Sequence, residues 1–412
     1  MTESKPLAGL KVCILTATDV VNDGRVRKEA RSLTAAGASV TVIGQGEQVS
    51  PRLGEEPYQV RLVSRSAISR AAKSANNSMV LRVARRLVRE LQKLGPRQTP
   101  PVVRALFSNP RLVGAVVAER PDVVHCHNVY TLEAGMAAAQ QLGARLIYDA
   151  RELYDGYFMA AESLPVEKQA YADQVEAEAI GRADEILTVS PLIGERLTAR
   201  TGRDNVTVLF NSLPYVPVEG AEQAHQPVRI LNQGAFRRNT ADHLIVEAMA
   251  HLRDVAVLTM QGRFQREEYR EQVERFIAEH DLGGVVELTG EYDALESISL
   301  ANGYDIGVSV SQFDTENKAV TLSNRFFTYL NAGIALAMPN VPAHADFPDF
   351  DSFGVLLNTA SGETVAASLR PLIEDVARLN ALKRSALAHA REYSWERQEE
   401  KLIAVYERLR GA

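Results

Sequence analysis

The feature that most constrains the fold is the alternation of short apolar runs with helical patterns along the 412 residues. Runs such as VCIL, VTVI, DVVH and EILTV are apolar at consecutive positions, which is typical of strands that helices cover on both faces. Strands separated by helices predict a parallel sheet with right-handed crossovers. The first series of predicted strands lies at 11–17, 39–44, 122–127, 145–149, 185–190 and 206–211.

A proline-rich segment at 211–227 interrupts this alternation, and a second series of strands follows it. The predicted strands of this series lie at 228–234, 255–262, 285–290, 305–311, 334–339 and 354–358. Because a chain of this length exceeds what one hydrophobic core usually supports, we predict an α/β protein with two doubly wound, Rossmann-like parallel-sheet domains. The predicted domains are residues 1–215 and 226–393.

The composition is that of an ordinary globular protein, with 46% hydrophobic and 24% charged residues. The formal net charge of −6 argues against a nucleic-acid partner. The first ten residues are polar and no apolar run is long enough to cross a bilayer, so we predict a cytoplasmic protein. Cys13 and Cys126 each lie in an apolar strand, where a reduced, buried thiol is the usual occupant.

One stretch reverses the overall charge. Residues 65–111 contain nine arginines and two lysines against a single acid, Glu90. Within it, 79–94 has the pattern of an amphipathic helix. Two interpretations stay open: a solvated helix face, or a surface that meets an anionic acceptor or the inner face of the plasma membrane. The residues of this cationic face are Arg82, Arg85, Arg86, Arg89 and Lys93.

Ligands of open α/β sheets bind beyond the carboxyl ends of the strands, so we searched the loops that follow them. The first strand leads to Asp23 and Gly24 without a GxGxxG pattern, which leaves a dinucleotide oxidoreductase poorly supported. Arg25 follows, as either a surface arginine or a substrate contact.

Further along, His125 and His127 alternate at the end of a strand, and we expect them to point to opposite faces or to diverge. This expectation argues against metal chelation by the pair alone. His127, at the carboxyl tip, is a candidate for a hydrogen bond to a ligand hydroxyl. Asp149 and Glu152 follow the next strand as candidate ligand contacts or helix caps.

In the second half, Arg237 and Arg238 stand between a strand and a helix, which suits a diphosphate because guanidinium groups offer forked donors. No metal is required for such a site. Leu322, Ser323 and Asn324 precede a helix predicted from Arg325 onward, whose free amides form a second anion site unless Ser323 or Asn324 simply caps the helix.

Taken in order, these segments resemble the GT-B superfamily of retaining glycosyltransferases, specifically glycosyltransferase group one, also called family four. The resemblance covers nearly the whole chain. It is carried by DGRVRKEARSLTAAGASVTVI, RPDVVHCHNVYTL, LIYDARELY, ADEILTVSPLIGERL, VTVLFNSLP, NQGAFRRN, VLTMQGRF and LSNRFFTYLNAG. The late SWERQEEKL resembles the family's terminal segment, which implies that a helix at 394–412 packs back on the first domain.

The resemblance implies two domains that face a cleft and transfer of a sugar, with retention of configuration, from a nucleoside diphosphate donor to an acceptor on the first domain. The implied enzyme is a metal-independent hexosyltransferase without a separate cofactor. Its implied role is in the synthesis of cell-envelope polysaccharide, glycolipid or glycoconjugate, with a lipid-linked acceptor as one possibility.

The resemblance also assigns roles to single residues. It implies that His127 lies near the donor sugar and that Arg238 or Arg237 binds phosphate. Residues implied to hold the rest of the nucleotide are Gly262, Gly290, Glu291, Tyr292, Leu322, Ser323, Asn324 and Thr328; those implied on the acceptor side are Arg25, Asp149 and Glu152.

The chain departs from the family at three positions. Thr328 stands where the family has a ribose-binding glutamate, and Val320 stands where its partner acid would fall, with Glu316 nearby. The histidine of the YDxHE-like segment is Arg151. These departures keep two alternatives open: a non-catalytic GT-B partner subunit, and a sugar-nucleotide epimerase of the same fold that would use Asp149, Glu152 or Glu291.

Overall fold

The computed structural model describes residues 5–64, 103–104, 107, 109–160, 165–219, 223–293, 296–311 and 315–411. The predicted cationic helix with Arg82, Arg85, Arg86, Arg89 and Lys93 lies outside the described residues. The chain divides into two compact units. The first contains Met1–Leu209, Thr315–Asn317 and Glu399–Ala412, and the second contains Phe210–Asp314 and Lys318–Gln398.

In the described part of the first unit, seven strands form one parallel sheet with the order β3-β2-β1-β4-β5-β6-β7. The strands are β1 (Lys11–Leu15), β2 (Ser39–Gln45), β3 (Gln59–Val63), β4 (Val123–His127), β5 (Arg145–Ala150), β6 (Glu185–Thr188) and β7 (Val206–Val208). The helices between them are α1 (Gly24–Ala35), α2 (Pro110–Glu119), α3 (Val129–Leu142), α4 (Pro165–Arg182) and α5 (Pro191–Thr201), with short 3-10 turns at Pro51–Leu53 and Tyr157–Ala160.

In the second unit, six strands form a parallel sheet with the order β10-β9-β8-β11-β12-β13 among the described residues. The strands are β8 (Val228–Phe236), β9 (Ala256–Phe264), β10 (Val286–Gly290), β11 (Ile306–Val308), β12 (Ala335–Pro339) and β13 (Gly354–Leu357). A 3-10 turn at Arg238–Thr240 follows β8. The later helices are α6 (His243–Leu252), α7 (Glu267–Glu279), α8 (Ser297–Ala301), α9 (Glu316–Val320), α10 (Asn324–Asn331), α11 (Pro342–Ala345), α12 (Phe350–Phe353), α13 (Gly362–Glu374), α14 (Val376–His389) and α15 (Trp395–Gly411). The start of α9 and most of α15 belong to the first unit.

The prediction of two doubly wound parallel sheets is confirmed, and each of the twelve predicted strands is present. The prediction missed one strand, β3, which lies at the edge of the first sheet. Its residues alternate between exposed and half-buried, so it lacks the continuous apolar run that identified the central strands.

The strand order reverses beside β1 in the first sheet and beside β8 in the second, and the loops that leave these strands are where doubly wound sheets bind ligands. The central strands are buried on both faces. Cys13 and Cys126 are buried free thiols, as predicted. None of the helices within the described ranges has both the length and the apolar character needed to span a bilayer.

Candidate functional site

The carboxyl edge of the first sheet is built from the ends of β4 and β5, where His127 and Asp149 are register partners. Both side chains are fully buried. The start of α1 reaches the same place because Asp23 is its N-cap and accepts a hydrogen bond from the Val26 amide. Strand ends and a helix N-terminus therefore bring ionisable side chains together here, as the sequence predicts for this edge.

The expectation that His125 and His127 point to opposite faces or diverge is wrong. Residues two positions apart on a strand project to the same face, and the two rings stack with their centroids 4.5 Å apart. The Nδ1 atom of His125 lies 2.9 Å from the hydroxyl oxygen of Tyr406, which also belongs to the first unit. His125 is therefore held in the core.

Arg25 lies beneath this edge, with only 2% of its surface exposed. Its Nε lies 2.7 Å from Asp149 Oδ2 and 3.0 Å from Glu29 Oε1, and its Nη1 donates to the Leu209 carbonyl at 2.8 Å. Arg25 and Asp149, both predicted on the acceptor side, thus contact each other inside the first unit. Any influence on an acceptor would pass through the side chains that cover them.

The side chain that covers His127 is Arg151. Its Nη2 lies 2.7 Å from His127 Nδ1, and its Nη1 donates to Asp23 Oδ1 at 2.9 Å. A guanidinium has only donors, so Nδ1 must accept and the neutral imidazole carries its proton on Nε2. That atom lies 3.2 Å from Glu29 Oε2. Arg151 is 17% exposed whereas His127 is fully buried, so Arg151 is the member of this group that reaches solvent.

We call the whole group the buried charge cluster: Asp23, Arg25, Glu29, His125, His127, Asp149 and Arg151. Four of its members offer ligand atoms within 4.8 Å of one another, a spacing that a cation site could use: Glu29, His125, His127 and Asp149. The donor set fits a metal poorly. The Arg25 guanidinium already bridges the two carboxylates, and the Nε2 of His127 carries a proton instead of a free lone pair.

Burial determines the protonation of this cluster. It lowers the pKa of His125 to about 3, and together with the charge of Arg151 it lowers the pKa of His127 to about 3. For Asp23, burial opposes ionisation, but the charge and hydrogen bonds of Arg151 outweigh it and lower the pKa. Both histidines are therefore neutral at physiological pH, beside acids that pair with Arg25 and Arg151.

Glu152, the third residue predicted on the acceptor side, is half-buried just after this edge. Its Oε2 accepts a hydrogen bond from Asn317 Nδ2 within the same unit. Burial raises the pKa of Glu152 above its ordinary value.

The carboxyl edge of the second sheet differs from that of the first, because glycines and not charged side chains lie at its centre. Gly234 of β8 and Gly262 of β9 are register partners, with φ of +137° and +149°. A Cβ on Gly262 would lie 1.7 Å from the Gly234 carbonyl oxygen, so only glycine permits this approach. The two glycines therefore let the strands approach closely, with Gly262 buried and the Arg325 guanidinium 3.2 Å from the Cβ position of Gly234.

The residues predicted to hold the nucleoside base follow the next strand of the same sheet. Gly290 ends β10, which pairs with β9, and it has a φ of +78° with open space where a Cβ would stand. Glu291 is exposed and Tyr292 is half-buried. Their role stays a prediction.

The two arginines predicted to bind phosphate leave β8 at this edge. Arg237 and Arg238 are both exposed, and neither forms an ion pair within the described ranges. They lead through the 3-10 turn Arg238–Thr240 into α6. Two accessible positive charges therefore flank the glycine backbone.

The start of α10 completes this edge. Ser323 is its N-cap, with its Oγ accepting from the Phe326 amide, so the serine caps the helix. Asn324 is exposed and accepts from Asn211 Nδ2 at 2.8 Å, while Leu322 is buried. Thr328 is buried, and its hydroxyl donates to the Asn324 carbonyl at 3.1 Å. The hydroxyl of Thr328 is thus used within its own helix.

Sequence reasoning assigned no role to Arg325, which lies in the first turn of α10. Its Nη1 donates to Asn232 Oδ1 at 2.8 Å and to Asp242 Oδ1 at 2.9 Å. These partners are more than eighty residues away along the chain, so no local pattern could reveal the contacts. The one indication in the sequence was that Arg325 directly follows Ser323 and Asn324 at the start of a predicted helix.

Comparison with known proteins adds to this geometry. Residues 24–212 match the family described as "Glycosyl transferase 4-like domain". No curated protein sequence matches the chain.

Three solved structures resemble the chain over nearly its whole length. Anabaena HepE in complex with UDP has a TM-score of 0.70 at 12% identity, covering 96% of this chain and 99% of that one. Sucrose-phosphate synthase from Thermosynechococcus elongatus has a TM-score of 0.72 at 15% identity, covering 98% and 99%. A mutant of S. aureus TarM, in complex with UDP and other ligands, has a TM-score of 0.66 at 10% identity, covering 96% and 99%. At these identities the likeness establishes the fold.

The two doubly wound parallel sheets are thus a fold that the chain shares with these solved structures. The family match covers residues 24–212, which lie almost entirely in the first unit, and these residues resemble a glycosyl transferase 4-like domain.

Proposed function

We propose that this protein is a glycosyltransferase that moves a hexose from a nucleoside diphosphate donor to an acceptor with retention of anomeric configuration. The observation that carries the proposal is the carboxyl edge of the second sheet, where two exposed arginines follow β8 and the first turn of α10 lies against Gly234. Guanidinium groups and helix amides suit a leaving diphosphate, whose negative charge grows in the transition state.

The negative charge that develops on the leaving diphosphate oxygens must be stabilised. We propose that Arg237 and Arg238 stabilise it without a metal. Their exposure leaves them available to phosphate, and they directly follow β8. UDP is the first donor nucleotide to test, because the similar HepE and TarM structures contain it.

We assign the acceptor to the first unit. Arg151 and Glu152 are its partly exposed ionisable groups at the carboxyl edge, whereas Arg25 and Asp149 lie beneath them. We propose that His127 acts through Arg151, which covers it, on the sugar or the acceptor. A lipid-linked acceptor of cell-envelope or glycoconjugate synthesis, and binding to an anionic membrane, are further parts of the proposal that rest on the cationic segment of the sequence.

A second candidate, a non-catalytic partner subunit, is favoured by one observation. Val320 is 1% exposed and the Thr328 hydroxyl is used within its helix, so neither position presents a polar group for a ribose. An epimerase is less well supported, because its candidate acid Asp149 is buried against Arg25.

The test is a thermal-shift panel with UDP, GDP, ADP and dTDP, followed by assays of the matching nucleotide sugars. We expect one diphosphate to raise the melting temperature, since a ligand that binds only the folded state stabilises it. The anomeric configuration of the product, read by NMR, should equal that of the donor. Stabilisation without turnover of any nucleotide sugar would favour the partner-subunit alternative. Neither stabilisation nor turnover would refute the proposed function.

A further inference from the structure

Two glutamine side chains meet on the second sheet, close to the loop that is predicted to hold the nucleoside base. Gln233 of β8 and Gln261 of β9 are register partners, and Gln261 is also paired in register with Gly290 of β10. β10 ends at Gly290, whereas β9 continues past Gln261 to Phe264. The edge of the sheet is therefore recessed beside Gln261, and the residues predicted to hold the base follow directly from this recess.

The neighbours of Gln233 determine how its amide is oriented. Its Nε2 lies 3.2 Å from the Ser297 carbonyl oxygen and 2.8 Å from Gln261 Oε1. A backbone carbonyl can only accept a hydrogen bond, so the atom of Gln233 that faces it must belong to the NH2 group. Gln261 must then turn its own oxygen toward this NH2 group, because two NH2 groups cannot bond to each other.

This orientation leaves the NH2 group of Gln261 available. Within the described residues, Gln261 Nε2 donates no hydrogen bond, and the atom keeps contact with solvent. The side chain around it is half-buried. Gln261 therefore presents a hydrogen-bond donor whose direction is set in advance, since the hydrogen bond from Gln233 holds the other end of the amide.

The fold itself gives little reason for an amide pair at this position. The backbones of β8 and β9 are already paired from Val228 and Ala256 to Phe236 and Phe264. Gln233 is only 2% exposed, and burial of a polar side chain is unfavourable unless its atoms find partners. A role in orienting Gln261 gives this buried amide a use that an apolar residue could not supply.

An NH2 group that can only donate distinguishes two classes of nucleobase. Uracil, thymine and guanine present a carbonyl oxygen, which accepts a hydrogen bond. Cytosine and adenine carry an NH2 group at the equivalent place, which donates. Two donors that face each other are both left without a hydrogen bond, and this is costly for groups removed from water.

We infer that Gln261 is a specificity-determining residue of the nucleotide site, which selects a nucleoside diphosphate with a keto base by donating from Nε2 to the base carbonyl. The inference rests on the proposed function and deepens it, since it names the class of base that the sugar donor carries. Gln233 is then a positioning residue, because its NH2 group orients the Gln261 amide.

The test compares UDP with CDP on the full chain by calorimetric titration. The two ligands share the ribose and the diphosphate and differ along one edge of the base, where uracil has a carbonyl and cytosine has an NH2 group. The quantity compared is the affinity for UDP divided by the affinity for CDP. General effects of a substitution on phosphate binding or on stability cancel in this ratio.

Two variants and a matched control are compared with the wild type. Q261E replaces the hydrogen-bond donor by an acceptor, and Q261M removes both the donor and the acceptor. The control Q272E adds the same negative charge at an exposed position of α7.

We expect the wild type and Q272E to prefer UDP over CDP about tenfold or more. Q261M should lower this preference to about twofold or less, and Q261E should reverse it, since a carboxylate accepts from the cytosine NH2 group. If the wild type prefers UDP and both Gln261 variants keep that preference, the inference is overturned while the proposed function stands.

The remaining outcomes are also decisive. If neither variant folds, equal wild-type affinities for UDP and CDP, or a preference for CDP, would overturn the inference. If GDP is the diphosphate that stabilises the protein most, IDP and ADP replace UDP and CDP, because hypoxanthine and adenine differ at the equivalent edge. Strongest stabilisation by ADP would overturn the inference, and binding of no nucleoside diphosphate at all would refute the proposed function together with it.

Discussion

The carboxyl edges of the two sheets occupy the same place in the same fold but use their charges in opposite ways. In the first unit, the charged side chains lie inward and partner one another, and the arginine that reaches solvent is paired with Asp23 and His127. In the second, Arg237 and Arg238 are exposed and form no ion pair within the described residues. The charges of the first edge pair with one another and stabilise the fold, whereas the exposed arginines of the second edge are available to bind an anion.

The buried charge cluster should therefore dominate the stability of the first unit. Arg25 pairs with both Glu29 and Asp149, and all three side chains are at most 1% exposed. Removing one partner of a buried ion pair leaves a desolvated charge without compensation. Arg237 and Arg238 at the second edge are exposed, so removing either of them leaves no buried charge without compensation.

The largest effect should follow Arg25→Met. The substitution leaves two buried carboxylates unpaired, and we expect a loss of about 3–5 kcal/mol in the free energy of unfolding of the first unit, measured by urea denaturation. The matched control is Arg182→Met, which breaks an exposed pair with Glu178 in the same unit and should lose at most about 1 kcal/mol. Equal losses in the two variants would contradict the structural role of the cluster.

A pH dependence should follow from the two buried histidines. Their pKa values are about 3 in the folded state against about 6.5 unfolded, so between these values the unfolded chain binds more protons. The stability they contribute is complete above pH 6.5 and falls as the pH decreases, by about 1.4 kcal/mol per pH unit and histidine.

The measurement is the free energy of unfolding between pH 4 and 6.5. The variant H125N/H127N should flatten this dependence, whereas substitution of the exposed His251 by Asn should leave it unchanged. A slope that persists in the double variant would show that other groups cause it.

A smaller effect is expected at the second edge. Arg238→Ala should weaken UDP binding about tenfold and leave uridine binding unchanged, because a charge-assisted phosphate contact is lost while base contacts remain. Stability should change by less than about 0.5 kcal/mol, since Arg238 is exposed. Calorimetric titration gives the affinities, and wild-type affinity for UDP would transfer the assignment to Arg237.

The smallest effect is expected at Thr328. Because its hydroxyl is buried and donates to the Asn324 carbonyl, it is not free for a ribose. Thr328→Val should change UDP affinity by less than about twofold, well below the effect of a lost hydrogen bond to a charged group. The preference for UDP over dUDP should stay below about tenfold in both proteins. A strong ribose preference that disappears in the variant would contradict this assignment.

Periodicity predicted the fold because central parallel strands and their covering helices leave local signatures. The same local sequence patterns predicted that Asp149, His127 and Arg238 lie at the ends of strands. It could not predict which charges are buried. Arg25 and Asp149 are 124 residues apart, and Arg325 and Asp242 are 83 apart, so their pairing depends on tertiary contacts that no sequence window contains.

The comparison of the two edges is tested most directly by hydrogen exchange, followed by mass spectrometry, with and without the nucleoside diphosphate that stabilises the protein most. We predict slower exchange in the second unit at residues 232–240, 286–293 and 323–326. No change is expected in the first unit at 23–29, 123–127 or 145–151. Protection confined to the first unit, or protection in neither, would contradict the account.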